Sequence, residues 1–181
     1  MAVMQLADTS KLTGKNLEML TELEKTSGML PNVMKQMANS PAAIEAFLSS
    51  REALSKGLLT DKMRSLIGIL IAEIYSCGYL LAARVAQAKK CGMSDEDIKL
   101  AQTQSSKDAK EDRGLQFVRN LVLMHREISP SEVVELKAVG YNDGEIVELI
   151  ANTSYNMQVY YMIQVAKPES DFPAVETEFP I

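Results

Sequence analysis

Residues 65–88 read SLIGILIAEIYSCGYLLAARVAQA, and only two of these side chains, Glu73 and Arg84, carry a charge. The run is long enough to cross a membrane as a helix, but each charge near the bilayer centre would cost about 2.5–3.5 kcal/mol, and the chain offers no second span. A helix that is apolar on all sides belongs instead in a domain core or between subunits. We therefore expect this segment to form the buried centre of a helical protein that has no membrane partner.

The flanking segments carry the start and stop signals of helices. Polar residues that can cap a first helical turn stand at Ser40, Ser94, Ser129 and Asn142. No segment alternates apolar and polar residues over the length of a strand. We predict an all-α fold with the following parts: a first helix at 14–27, one long helix over 60–90 or two helices joined at Gly78, a loop at 102–113, and a last helix from Asn142 towards Val165.

The composition of the 181 residues is that of a globular protein, with 46% apolar and 24% charged side chains. The net charge of −5 lacks the basic footprint of nucleic-acid binding, so we expect no nucleic-acid partner. Two cysteines and one histidine are too few for a disulfide framework or a four-ligand zinc site, and we expect neither a metal nor a cofactor. The opening MAVMQLADTSKL does not read as a signal peptide, which predicts a cytoplasmic protein.

Glu73, Cys77 and Arg84 are the candidates for catalysis. If residues 60–90 form one continuous helix, the three lie within about 40° of one another around its axis. Arg84 would then favour the Cys77 thiolate, and Glu73 would accept or relay a proton. In the structural alternative, Glu73 and Arg84 pair with other helices and Cys77 is a small buried apolar side chain. The sequence leaves both interpretations open.

Cys91 and His125 are weaker candidates. Cys91 follows Cys77 by 14 residues, which is about 21 Å along a continuous helix and beyond the roughly 7 Å Cα separation of a disulfide. We expect Cys91 to be a surface or packing residue rather than a resolving thiol. His125 follows an apolar helical segment, and we expect it at a helix C-terminus, where the dipole favours it, rather than as a catalytic base.

Several segments resemble the alkylhydroperoxidase AhpD-like and carboxymuconolactone decarboxylase superfamily. They are LPNVMKQMANSP at 30–41, LTDKMRSLIGILIAEIYSCGYLLAARVAQAKKCGMSDEDI at 59–98, and the later VVELKAVGYNDGEIVELIA and VAKPESDFP, which resemble its peroxidase-related members. The resemblance implies an AhpD-like helical bundle that assembles as a dimer, trimer or hexamer. It divides the chain into an N-terminal helical extension at 1–27, an AhpD-like domain at 28–173 and a C-terminal tail at 174–181.

The sequence departs from the family at the redox motif. Redox-active members carry Cys-x-x-Cys-x-x-x-His, and the matching positions here are Cys77, Leu80 and Arg84. Cys77 is therefore the sole candidate peroxidatic thiol, and an external thiol would have to resolve its sulfenic acid. Arg84 cannot replace the histidine as a base, because its pKa lies above 12. The proton-relay glutamate of the family corresponds either to Glu73 or to a position further upstream, where this chain has Ser65.

Three functions stay open. The first is thiol-dependent hydroperoxide reduction at Cys77, which is a peroxiredoxin-type, antioxidant oxidoreductase activity. The second is a carboxymuconolactone-decarboxylase-like lyase that needs no cysteine, with a pocket of Glu73, Arg84 and Tyr79 in which Arg84 holds a substrate carboxylate. The third is a non-catalytic oligomeric protein. For an enzyme of either kind we expect a small-molecule substrate that contacts Tyr79 and Leu80.

Overall fold

A computed structural model of the protein describes residues 2–124 and 128–178. Every regular element within those residues is helical, which confirms the predicted all-α fold. After a short 3-10 helix at Thr9–Lys11, the described residues form α1 (Gly14–Ser27), α2 (Asn32–Met37), α3 (Pro41–Ser55), α4 (Asp61–Ile74), α5 (Gly78–Lys90), α6 (Asp95–Gln102), α7 (Ala109–Leu123), α8 (Pro130–Ala138) and α9 (Asp143–Ala166). No helix among them combines the length and the apolar character that crossing a membrane requires.

Helix α4 forms the centre of the core. All residues from 65 to 73 are buried, so the helix is enclosed on every side by α5, α6, α7 and α9. The apolar run therefore takes the central position that its composition predicts. Glu73 is the only charged side chain among those nine buried residues.

The chain breaks between α4 and α5. Ser76 adopts a left-handed conformation with φ of 45°, and the N–H of Cys77 donates to the Ala72 carbonyl (2.8 Å), which closes the end of α4. The prediction of one continuous helix over 60–90 is wrong, and the alternative of two helices is confirmed with the joint just before Gly78. A straight helix over this range would be about 45 Å long. The break lets α5 fold back and bury its apolar side chains against α4.

Most of the helices begin directly after a polar residue whose side chain caps the first turn. Side chains cap helices at the predicted positions Ser40, Ser94 and Asn142, and also at Thr60 and Asp108. Asn142 and Glu145 form a complete capping box, with hydrogen bonds of 2.9 and 2.8 Å. Ser129 caps α8, but the carboxylate of Glu132 binds Arg113 (2.6 Å) and does not complete a box.

Two local predictions need correction, and one falls outside the described residues. The predicted loop at 102–113 is shorter, because Asp108 caps α7 and the acidic first turn of that helix is stabilised by its dipole. The short helix α2 was not predicted. His125 belongs to the residues that the structure does not describe.

Both ends of the chain pack against the central helices. Leu20 and Leu23 of α1 are buried in the same core as α4, and Val175 packs against it from the C-terminal side. The division at residues 27 and 173 stays a prediction.

Candidate functional site

Cys77 lies directly before α5, at its N-cap position, and is only 5% exposed. Burial raises the pKa of its thiol. The backbone N–H groups of Leu80 and Tyr79 and the positive charge of Lys167 act in the opposite direction and favour the thiolate. The thiol is therefore protonated at neutral pH, and it sits where a helix N-terminus would stabilise the thiolate once it forms.

Tyrosine rings lie beside Cys77. Tyr75, at the end of α4, stacks on Tyr160 of α9 with ring centroids 4.1 Å apart. Burial raises the pKa of Tyr160, and the charge of a Cys77 thiolate raises it further, which places the two side chains close to each other. Tyr160 of α9 therefore lies near enough to Cys77 to sense the charge of a thiolate.

Glu73 faces the C-terminal segment of the chain. Its carboxylate is fully buried and accepts hydrogen bonds from the Gln102 side chain (2.8 Å) and from the backbone N–H of Glu178 (2.9 Å). Gln102 also donates to the carbonyl of Glu176 (3.0 Å). These contacts hold the segment around residues 176–178 over the end of α4, and none of them involves Cys77.

The side chain of Arg84 points to a different part of the molecule. Its Nη1 donates to Gln87 (3.0 Å), and its guanidinium lies over the ring of Tyr155, 5.7 Å from the centroid. Burial lowers the pKa of Arg84, and none of the causes of this shift comes from Glu73 or Cys77. The predicted common face of Glu73, Cys77 and Arg84 is therefore not formed, because the break at Ser76 turns α5 away from α4.

Arg84 lines a groove on the surface of the helical core. The groove has a volume of about 490 Å³ and is also lined by Tyr79, Leu80 and Tyr155. A second cavity of about 450 Å³ meets it at Arg84 and Tyr155. The structure thus brings together three of the five predicted site residues, Tyr79, Leu80 and Arg84. Neither Glu73 nor Cys77 is among the side chains that line the groove.

Tyr79 is fixed at one wall of this groove. Its hydroxyl donates to Asp171, which also accepts the backbone N–H of Asn32 (2.8 Å). Burial and then Asp171 raise the pKa of Tyr79, so its hydroxyl stays protonated. The ring meets Phe172 edge-on, with centroids 6.0 Å apart. Tyr79 is therefore a rigid hydrogen-bonded part of the wall.

The two cysteines are far apart. Cys91 is exposed at the end of α5, as predicted, and both thiols are free. The 13-residue helix α5 separates them by about 20 Å. Within the described residues, no group of three or more His, Cys, Asp or Glu side chains is placed to hold a metal ion.

Sequence reasoning missed three residues around Arg84. Gly68 of α4 lies against the stem of the Arg84 side chain, and Arg51 of α3 lines both cavities with it. Tyr155 of α9 stacks on Phe47, with ring centroids 4.5 Å apart, and also lines both cavities. The glycine inside an apolar helical run was a usable signal, whereas Arg51 and Tyr155 meet Arg84 only through the tertiary fold.

Solved structures with a similar chain path show that the fold is AhpD-like. A peroxidase-related protein with an alkylhydroperoxidase AhpD core from Ralstonia eutropha JMP134 aligns with a TM-score of 0.85 and 17% identity, over 94% of this chain and 92% of that chain. A peroxidase-related protein from Silicibacter sp. TM1040 aligns with a TM-score of 0.79 and 21% identity over the same shares. No protein-family model and no curated protein matches the sequence.

A further structural neighbour is the debrominase Bmp8. A cysteine-to-alanine variant of it, in complex with 2,3,4-tribromopyrrole, aligns with a TM-score of 0.72 and 16% identity, over 85% of this chain and 84% of that chain. The same fold thus carries proteins described by different activities.

Proposed function

For a chain with the AhpD-like fold and one buried cysteine at the start of a central helix, we propose thiol-dependent reduction of organic hydroperoxides, with Cys77 as the attacking thiol. The main support is the position of Cys77 at the N-terminus of α5, where the N–H groups of Leu80 and Tyr79 favour a thiolate. Ser76, directly before it, has a positive φ, which is strained for a residue other than glycine. Such strain is concentrated at functional sites. The two peroxidase-related neighbours agree with this chemistry.

In the proposed reaction, the Cys77 thiolate attacks the outer oxygen of the hydroperoxide. The O–O bond breaks, the alkoxide leaves and takes up a proton, and Cys77 becomes a sulfenic acid. An external thiol then attacks the sulfenic sulfur, which releases water and forms a mixed disulfide, and a second thiol frees Cys77 as the external disulfide leaves. One hydroperoxide and two thiols thus give one alcohol, one water and one disulfide.

The reductant has to come from outside the chain. The sequence holds only two cysteines, and Cys91 lies at the other end of α5. Leu80 occupies the position at which related redox proteins place a second thiol. We therefore propose a small external thiol as the electron donor.

The test is the consumption of cumene hydroperoxide in the presence of dithiothreitol, compared between the unmodified protein, Cys77→Ser and Cys91→Ser. We expect turnover by the unmodified protein and by Cys91→Ser, and only the uncatalysed rate with Cys77→Ser. Serine is nearly isosteric with cysteine, so circular dichroism should show the same helical content in all three proteins. Turnover that survives in Cys77→Ser would refute the proposal.

A second candidate is a binding protein without turnover. It is favoured by the burial of Cys77, which raises the pKa of the thiol, and by the missing second cysteine. In that case the folded, unmodified protein consumes hydroperoxide no faster than Cys77→Ser does, under every thiol tested. The lyase interpretation loses one of its three residues, because Glu73 does not line the groove that holds Tyr79 and Arg84.

A further inference from the structure

Arg84 is a partly buried cation without a counter-ion. Among the described residues, no carboxylate lies within ion-pair distance of its guanidinium, and its buried Nε has no hydrogen-bond partner. The Nε of Arg113 is also buried without a hydrogen-bond partner, but Arg113 binds Glu132 and Glu135, and Arg64 binds Asp61, so the missing carboxylate distinguishes Arg84. A charge removed from water is normally paired, because desolvation is otherwise uncompensated. The missing partner of Arg84 is therefore expected in a ligand.

The neighbouring helix leaves room for this side chain. Gly68 is buried in the middle of α4, and a Cβ atom there would lie 2.7 Å from Cδ of Arg84 and 3.0 Å from its Nε. Glycine is less stable than alanine inside a helix, since it loses more conformational freedom. Glycine at position 68 therefore makes α4 less stable than alanine would, but it leaves the space that the Arg84 side chain occupies.

A second arginine stands beside the first. Arg51 lines both cavities together with Arg84, and it has no ion pair among the described residues either. Burial lowers the pKa of Arg84, Tyr155 opposes that shift, and the positive charge of Arg51 lowers the pKa further, as expected for two neighbouring cations. An anion between them would relieve both the desolvation and the repulsion.

The acidic side chains near this point already have other partners. Three carboxylates line the outer cavity, and they pair with lysine or arginine side chains on their own helices: Glu22 with Lys25, Glu52 with Lys56 and Asp61 with Arg64. Asp171, in the inner groove, accepts hydrogen bonds from Asn32 and Tyr79. None of these carboxylates neutralises Arg84.

Beyond Arg84 the inner groove is mainly apolar. The residues that line both cavities are Leu23, Thr26, Arg51, Arg84, Gln87 and Tyr155, so the two arginines lie where the cavities meet. Most of the remaining lining, which the outer cavity does not share, is apolar and includes Met34, Phe47, Leu80, Val159 and Phe172. Its polar members include Asp171, which binds Tyr79, and Lys90, which donates to the Ser27 carbonyl (2.7 Å). The volume of the inner groove, about 490 Å³, is within the range of small-molecule sites.

We infer that this groove binds an amphipathic carboxylate, with its carboxylate between Arg84 and Arg51 and its apolar chain against Phe47 and Leu80. The planar guanidinium of Arg84 already hydrogen-bonds Gln87 and Tyr155, and it can offer its remaining N–H groups to carboxylate oxygens. The apolar chain is bound by removal from water. This inference goes beyond the proposed thiol chemistry and does not depend on Cys77.

The test is isothermal titration calorimetry with octanoate. Two comparison ligands are acetate, which lacks the long apolar chain, and 1-octanol, which lacks the carboxylate. We expect saturable binding of octanoate, and binding of acetate and octanol that is weaker by about tenfold or more. Arg84→Gln should weaken octanoate binding by about tenfold, and Arg84→Lys by less, because lysine keeps the charge and loses the planar fork. Arg119→Gln, at an exposed position on α7, makes the same change in net charge and should bind like the unmodified protein.

Two further variants keep the test decisive. Arg51→Gln lies at an exposed position and should fold, and a roughly threefold loss of octanoate affinity is expected from it. Cys77→Ser should bind octanoate unchanged, so loss of turnover and loss of binding can be told apart. The inference would be overturned if octanoate showed no saturable binding, or if octanoate and octanol bound with equal affinity. It would also be overturned if Arg84→Gln bound octanoate as tightly as Arg119→Gln does.

Discussion

The Cys77 side chain is subject to two opposing influences. Burial disfavours the thiolate, while the first N–H groups of α5 and the charge of Lys167 favour it, and burial is the stronger. Arg84, which the sequence suggested as the activating charge, contributes nothing to this balance, because its guanidinium lies over Tyr155. The reactivity of the site is therefore set by the environment of the α4–α5 joint.

A raised pKa predicts how Cys77 responds to pH. Only the thiolate reacts with iodoacetamide. An ordinary thiol ionises with a midpoint of about 8.5 and has nearly levelled off about one pH unit higher, whereas the alkylation rate of Cys77 should still be rising there. Peptide mass spectrometry of samples quenched between pH 6 and pH 10 gives the rate, and the exposed Cys91 in the same samples reports on the reagent. An alkylation rate of Cys77 that levels off where an ordinary thiol does, about one pH unit above 8.5, or lower would contradict the raised pKa.

Because Arg84 has no ion pair among the described residues, we predict that replacing it raises the free energy of unfolding. Replacing an unpaired, partly buried charge with an apolar side chain of similar length removes a desolvation cost, so Arg84→Met should stabilise the protein by about 1 kcal/mol. For a chain of this length that raises the melting temperature by about 2–4 °C.

The matched control is Arg113→Met. That side chain binds Glu132 (2.6 Å) and Glu135 (2.8 Å), so its loss should destabilise the protein by about 1–3 kcal/mol. Thermal unfolding followed by circular dichroism measures both variants. If Arg84→Met destabilises the protein as much as Arg113→Met does, Arg84 has a structural partner within the protein. That result would contradict a role of its guanidinium in binding a ligand.

At the scale of elements, the packing of α4 against α5 depends on two glycines with opposite surroundings. A Cβ at Gly68 would collide with the stem of Arg84, whereas a Cβ at Gly78 would meet open space. Gly68→Ala should therefore destabilise the protein by about 1–3 kcal/mol, despite the better helix propensity of alanine. Gly78→Ala should be neutral or stabilising by up to about 1 kcal/mol. Urea unfolding of the two variants gives the comparison, and equal effects would show that Gly68 does not make room for Arg84.

The helices could be predicted from the sequence where the residues that start or end them act on the adjacent turn. The helices that begin at Ser40, Ser94 and Asn142 were predicted, because a capping side chain acts on its own first turn. The break at Ser76 carries no such signal, since a serine with positive φ is imposed by the packing of α5 onto α4. The groove was predictable only in part, because Arg51 comes from another helix and meets Arg84 through the tertiary fold.

At the scale of the whole molecule, α9 leaves a row of apolar side chains exposed. Val147 and Ile150 near its start, and Tyr161 and Val165 near its end, fall on one side of the helix, with the exposed polar side chains of Ser154 and Gln158 between the two pairs. Exposed apolar patches of this kind mark contacts between proteins. We therefore keep the expectation that the chain forms a homo-oligomer, with α9 at the contact.

A double variant tests the role of α9. Tyr161→Glu with Val165→Glu places two negative charges in the exposed row, and we expect it to shift the protein from an oligomer to a monomer. Light scattering after size-exclusion chromatography measures the mass. Ser50→Glu, at an exposed position of α3, should keep the mass of the unmodified protein. An unchanged mass in the double variant would exclude this face of α9 from the contact.

If Cys77 is the attacking thiol, hydroperoxide oxidises it to a sulfenic acid. The most direct test of this step is brief treatment of the folded protein with one equivalent of cumene hydroperoxide in the presence of dimedone, which traps sulfenic acids, followed by peptide mass spectrometry. We predict a dimedone adduct on the peptide that contains Cys77 and none on the peptide that contains Cys91. An adduct on Cys91 alone, or an unmodified Cys77 after all the hydroperoxide has been consumed, would contradict this role of Cys77.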